Sequence, residues 1–86
     1  MSALRTEYDK LKAKYPQAIL MFECREFIEV FDMDAVNVAN ITGTILTKSS
    51  SSFTSVTGFA SSMFDTYAKQ LIKAGYCIAL VQESTN

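Results

Sequence analysis

Five apolar residues in succession, Ala18-Ile19-Leu20-Met21-Phe22, run straight into Glu23-Cys24-Arg25-Glu26-Phe27-Ile28-Glu29-Val30-Phe31. A stretch this rich in β-branched, aromatic and long apolar residues, with no glycine or proline, reads as sheet. Successive side chains of a strand point to opposite faces, so parity sorts the stretch. Taken as one continuous strand, Leu20, Phe22, Cys24, Ile28 and Val30 form a core face broken only by Glu26. Ile19, Met21, Glu23, Arg25, Phe27, Glu29 and Phe31 form the other, which turns polar halfway yet carries Phe27 next to Glu29. Two outcomes are open for Phe27. Either the chain bends near Arg25 and the ring drops into the core, or it stays on a wet face.

The chain has 86 residues, enough for one domain, 1–86, with one modest core. Its net charge of −1 disfavours a domain that grips nucleic acid by charge alone. It has no histidine, which removes the commonest general base and metal ligand. Cys24 and Cys77 sit in apolar runs, too few and too far apart for a zinc site, and are expected as buried thiols of a reducing compartment. No apolar run approaches the roughly 20 residues of a membrane helix, so a soluble, cytoplasmic protein without membrane contact is expected.

Leu4, Tyr8, Leu11 and Tyr15 recur at helical spacing, predicting a helix over 3–15 with Ser2 as its cap and Pro16 as its end. Lys10, Lys12 and Lys14 fall outside that stripe, on an expected solvated face. Ala18–Cys24 is the first strand. Asp32 or Asp34 can cap a second helix that turns Ala35, Val38, Ala39 and Thr42 inward and closes at Gly43. Thr44–Thr47 and Phe53–Thr57 pattern as a hairpin around the polar loop Lys48 to Ser52, with Gly58 as punctuation. Ser62 and Asp65 have capping-box spacing before a third helix with Phe64, Tyr67, Ala68 and Leu71 inward and Gly75 as its cap. Tyr76–Val81 is apolar on both faces, as a central parallel strand would be. The order predicts an α/β (α+β) fold, a small mixed sheet flanked by about three helices.

Catalytic signatures are missing from the sequence. It contains no glycine-rich phosphate loop and no Ser–His–Asp set. Glu23, Glu26 and Glu29 recur every third residue, but in one extended strand Glu23 and Glu29 would stand about 20 Å apart. A binding domain without catalytic residues, metal or cofactor is expected, not an enzyme.

Several motifs in fixed order carry a resemblance. They are Tyr8-Asp9-Lys10-Leu11-Lys12-Ala13-Lys14-Tyr15-Pro16, Phe27-Ile28-Glu29-Val30-Phe31, Asp34-Ala35, Gly43-Thr44-Ile45-Leu46-Thr47-Lys48, Gly58-Phe59, Asp65-Thr66-Tyr67 and Leu71-Ile72-Lys73-Ala74-Gly75-Tyr76. From about Tyr8 to Gln82 the chain resembles the N-terminal, mismatch-recognition domain (domain I) of MutS proteins of DNA mismatch repair. Phe27-Ile28-Glu29 looks like the family's Phe-x-Glu signature. The resemblance implies that Phe27 enters the minor groove and stacks on a mispaired base of a kinked duplex, while Glu29 hydrogen-bonds the same base. It therefore implies an exposed Phe27.

Mismatched or distorted double-stranded DNA is the implied partner, bound weakly by this domain alone, within a larger repair assembly. Arg25 and Lys48 are candidate phosphate contacts beside the pair Phe27 and Glu29. The sequence departs from the family pattern at Arg25-Glu26, where Gly-Asp is usual, at Ile28, where tyrosine is common, and at Ala60 and Ser62, which replace proline and histidine. The competing expectation is a protein-interaction or accessory domain that keeps the fold without reading mismatches.

Overall fold

The long apolar stretch folds back on itself at Arg25-Glu26. Residues 3–48 and 52–82 are described by the computed structural model of the chain. The elements are helix α1 (Ala3–Lys14), strands β1 (Ala18–Cys24) and β2 (Phe27–Phe31), helix α2 (Asp32–Thr42), strands β3 (Thr47–Lys48) and β4 (Ser55–Ala60), helix α3 (Phe64–Lys73) and strand β5 (Cys77–Gln82). Two sequence expectations, the cap at Ser2 and most of the polar loop Lys48 to Ser52, fall outside the described residues.

The hairpin replaces the continuous strand. Phe22 lies opposite Glu29, Glu23 opposite Ile28 and Cys24 opposite Phe27. Residues directly opposite share a face. Ile28 and Val30 therefore join Ile19 and Met21, not Leu20 as unbroken parity required. Leu20, Phe22, Cys24, Phe27, Glu29 and Phe31 line the other face. Glu23 and Glu29, expected far apart on one face, sit in neighbouring rows on opposite faces. A two-residue loop has reversed the chain and exchanged the faces.

Five strands form one mixed sheet in the order β3-β4-β2-β1-β5. The pairs β1–β2, β2–β4 and β3–β4 are antiparallel, and β1–β5 is parallel. On one face Ile19, Met21, Ile28, Val30 and Phe59 pack against Ala35 and Val38 of α2 and Leu71 of α3. On the other, Leu20, Phe31 and Phe53 pack around Tyr8 of α1. The sheet is thus covered by one helix on one side and two on the other, the mixed-sheet architecture with three helices that the pattern predicts.

Several local expectations change. β5 is an edge strand, not a central one. Its apolarity on both faces reflects helices on both sides, with Ile78 and Ala79 packing on opposite clusters. The strand expected at Thr44–Thr47 shrinks to Thr47–Lys48, because Thr57 turns inward and donates its hydroxyl to the Ile45 carbonyl at 2.7 Å. Gly58 lies inside β4, not at its end. No side-chain cap forms at Ser62 or Asp65, since the 3-10 turn Ser61–Met63 leads directly into α3.

Neither aspartate caps α2. Asp34 faces inward and accepts hydrogen bonds from Tyr8, Lys12 and the Leu20 amide. Lys12 is consequently not a solvated lysine: its Nζ lies 2.8 Å from Asp34 and 2.6 Å from the Ala18 carbonyl. The helix ends follow their glycines. Gly43 at φ 80° returns its amide to Ala39, and Gly75 at φ 101° lets the amides of Gly75 and Tyr76 reach Ile72 and Leu71, a Schellman arrangement.

Candidate nucleic-acid interface

The site is the turn end of the β1–β2 hairpin. Phe27 opens β2 with its side chain on the face that α1 covers. Coverage stops short of it. Leu4 and Glu7, near the start of α1, border a cleft of about 510 Å³ with Phe22, Cys24 and Glu29, and neither Phe27 nor Ala60 lines it. In its own row Phe27 is flanked by Cys24 on β1 and Ala60 on β4, two small side chains. An aromatic between small neighbours and beyond the helix stands clear of the sheet, and Phe27 is 48% exposed. The chain does bend at Arg25, yet the ring stays out of the core and is exposed, as the resemblance implied.

Glu29 is the next residue on the same face, about 7 Å along the strand, and it too is exposed. Beside Glu29 on the neighbouring strand lies Gly58, its pairing partner. The Phe27 ring leans over it: a β-carbon at position 58 would stand 2.6 Å from Phe27 Cε2. Sequence reasoning missed this residue as part of the site. The signal was present, because an isolated glycine inside a strand pattern often marks a close approach.

Arg25 sits at the hairpin turn with φ 61°, in the left-handed region that usually favours glycine. A positive φ at the first loop residue alone matches a type II′ turn. The turn is tied to β4, since the Ser61 amide donates to the Glu26 carbonyl at 2.9 Å. The arginine thus adopts the geometry that a glycine would favour and holds its guanidinium within two residues of Phe27.

Lys48 is placed elsewhere. It pairs with Ser55, whereas Phe27 pairs with Ala60 at the opposite end of β4. Five residues along β4 and two strands across separate them by roughly 19 Å. Alternation also puts Lys48 on the other face. The structure therefore gathers Phe27, Glu29 and Arg25 and leaves Lys48 apart.

The far end of β2 is held by charge. Asp32, at φ 54°, accepts from Arg5 at 2.6 Å and from the Thr54 amide at 2.9 Å. Burial would raise its carboxyl, but the bonds from Arg5 and Thr54 outweigh it and hold it below the ordinary 3.8. Hydrogen bonds to Asp9 and then Asp32 raise the Arg5 guanidinium further. Burial first, then the charge of Asp34, pushes the Tyr8 phenol well above its usual range. These groups fix where β2 ends; they lie at the opposite end of the strand from Phe27.

Cys24 and Cys77 are both exposed, contrary to the expected buried thiols, because one ends β1 beside the turn and the other begins the edge strand. Among the described residues no group of three or more histidine, cysteine or acidic side chains is arranged to hold a metal. Likewise no described helix is long and apolar enough to cross a membrane.

The family model for MutS domain I matches residues 2–86. The DNA mismatch repair protein MutS of Flavobacterium johnsoniae is 36% identical over 83 residues, 93% of this chain and 10% of the relative. That of Flavobacterium psychrophilum is 37% identical over the same length and the same shares. That of Bacteroides fragilis is 37% identical over 76 residues, 85% of this chain and 9% of the relative. The chain spans about a tenth of the length of the curated relatives it matches.

Proposed function

The chain belongs to the MutS domain I family, and on that premise we propose that it is a DNA-binding module that reads mismatched or distorted duplex. Phe27 is the wedge. It enters the minor groove and stacks on a mispaired base, Glu29 hydrogen-bonds that base, and Arg25 contacts a neighbouring phosphate. The observation that carries this reading is the half-exposed ring of Phe27 beyond the reach of α1, on the same face as Glu29.

The energetics fit discrimination better than affinity. A mismatch stacks and pairs poorly, so opening it costs less than opening a normal pair. Each base stacked on an aromatic is worth about 1–3 kcal/mol. Glu29 can accept a hydrogen bond from the base, or donate one when protonated. A net charge of −1 adds little counterion release. Since even 1 mM affinity requires about 4 kcal/mol, the domain alone binds weakly, and a larger repair assembly supplies the remaining affinity. The module itself carries out no chemistry. Lys48, on the other face, takes no part in the wedge and at most meets a separate stretch of backbone.

The test is a titration of matched, mismatched and bulged duplexes at low salt with the native chain and Phe27→Ala. Mismatched DNA is expected to bind more tightly than matched, and Phe27→Ala to lose that preference. Equal binding to all three duplexes by the native chain would sink the proposal.

A second reading rests on another surface. Beside the edge strand β5 an apolar groove is lined by Phe64, Ala68, Ile72, Tyr76 and Leu80, with Ile72 60% exposed. A protein-interaction domain would use this groove and leave Phe27 idle. Substituting Ile72→Glu separates the two: a DNA reader keeps its mismatch preference, an interaction module loses its partner.

A further inference from the structure

We propose that Gly58 is a positioning residue for mismatch discrimination, holding the Phe27 ring against the backbone of β4 so that ring and Glu29 carboxylate address the same base. The inference rests on the reading of Phe27 as the wedge, and it concerns a residue on the neighbouring strand β4, distant in sequence from the Phe-x-Glu motif.

The geometry is specific. Gly58 pairs with Glu29, and Ala60 pairs with Phe27. A ring projecting straight from the sheet would stand beside Ala60. Instead the ring crosses diagonally to Gly58, where a β-carbon would lie 2.6 Å from Cε2 and 2.9 Å from Cζ. Such a β-carbon would also meet the Ile28 carbonyl oxygen at 2.9 Å, so the backbone offers no room to move aside. The ring therefore occupies the space that any other residue at position 58 would need. Its lean carries it along the strand toward the Glu29 row.

Glycine is an unfavourable residue inside a strand, for it has no side chain to pack. Gly58 has no positive φ to explain it. Core packing does not explain it either, because the ring it admits is half exposed. What the glycine provides is a flat seat. An aromatic seated on bare backbone is ordered before DNA arrives, so less freedom is lost on binding. Stacking and hydrogen bonding to one base demand that two side chains keep a fixed spacing, and the seat supplies it.

The test combines a DNA-free measurement with a binding cycle. In the native chain, nuclear Overhauser effects between the Phe27 ring protons and the Gly58 α-protons are expected, together with a ring-current shift of those α-protons that Phe27→Ala abolishes. Their absence overturns the proposal, and this measurement decides the matter even if Gly58→Ala does not fold. In the cycle, Gly58→Ala is expected to cut the mismatched-to-matched affinity ratio by about fivefold or more, the lower end of one stacking contact. The double variant Phe27→Ala, Gly58→Ala should match Phe27→Ala alone in that ratio. If Phe27→Ala loses the preference and Gly58→Ala keeps it, only the role of Gly58 falls. If Phe27→Ala keeps the preference, the wedge reading itself falls, and the role of Gly58 with it.

Discussion

Tyr8 of α1 donates its hydroxyl to Asp34 of α2 at 2.9 Å, joining the helix on one face of the sheet to the start of a helix on the other. Asp34 is 3% exposed and also accepts from Lys12 and from the Leu20 amide. One carboxylate thus fastens two helices and the central part of β1. It does so at the end of the sheet opposite the hairpin turn, which leaves Phe27 without a covering element.

Removing that carboxylate takes an acceptor from a buried phenol, a buried amide and a lysine, leaving the phenol only the longer Phe31 carbonyl and the lysine only the Ala18 carbonyl. Asp34→Ala is expected to cost about 3 kcal/mol, since breaking a buried pair from one side is far worse than removing both partners. Tyr8→Phe removes one hydroxyl proton, shared between Asp34 at 2.9 Å and the Phe31 carbonyl at 3.3 Å, and is expected to cost about 1 kcal/mol. Urea unfolding of both variants gives the comparison, and the order Asp34→Ala above Tyr8→Phe is the decisive outcome.

Asp32 sets an acid limit. Its carboxyl is held below 3.8 in the folded chain, so as pH falls the unfolded chain takes up a proton first. The contribution of Asp32 is therefore complete above the unfolded value and is lost as pH falls below about 4 toward the lower folded value. Asp32→Asn is expected to be less stable at neutral pH and to flatten this part of the stability profile. Thermal melts across pH 2–6 read it out.

Tyr8 sets the opposite limit. Its folded phenol is raised from the ordinary 10.0 by burial and by Asp34, so its contribution is complete below that value and is lost as pH rises toward the folded one. Tyr8→Phe should lose the alkaline decline attributable to this group. Unfolding followed from pH 9 upward, beside the native chain, measures it.

Gly75 and Gly58 are sensitive to alanine for opposite reasons. At Gly75 nothing lies within 4 Å of a β-carbon, but φ is 101°. Gly75→Ala is expected to cost about 1–2 kcal/mol through backbone conformation alone. Because it touches no residue of the candidate interface, its mismatched-to-matched ratio should equal that of the native chain. It is the stability control for Gly58→Ala.

Arg25 occupies a left-handed position that glycine adopts without strain. Arg25→Gly is expected to hold stability within about 1 kcal/mol of native, the relief of side-chain strain being offset by a freer unfolded chain. In the DNA titration the same substitution removes the proposed phosphate contact, so affinity should fall alike on matched and mismatched duplex and the salt slope should drop by about 1. A preferential loss on mismatched DNA would instead place Arg25 against the base.

Most elements were legible from neighbouring residues. Pro16 ends α1, Gly43 and Gly75 end α2 and α3, and the apolar run Ala18–Cys24 is β1 to the residue. The family resemblance could be read from ordered motifs alone, and with it the expectation that Phe27 and Glu29 act as a pair. Lys12 and Asp34 were misjudged because their partners are each other, 22 residues apart. Gly58 was passed over because its ring neighbour is on another strand. No window along the sequence contains either relationship.

What the sequence alone determined is where segments are helical or extended, since periodicity and caps are properties of residues a few positions apart. Which face each strand buries was decided only by the tertiary structure. The turn at Arg25-Glu26 exchanges the faces, pairing of β2 with β1 and β4 fixes the rows, and the reach of α1 decides which row is covered. Phe27 is exposed because its row lies one step past that helix between Cys24 and Ala60. Burial depends on what distant parts of the chain lie over a residue, and strand parity carries no information about that.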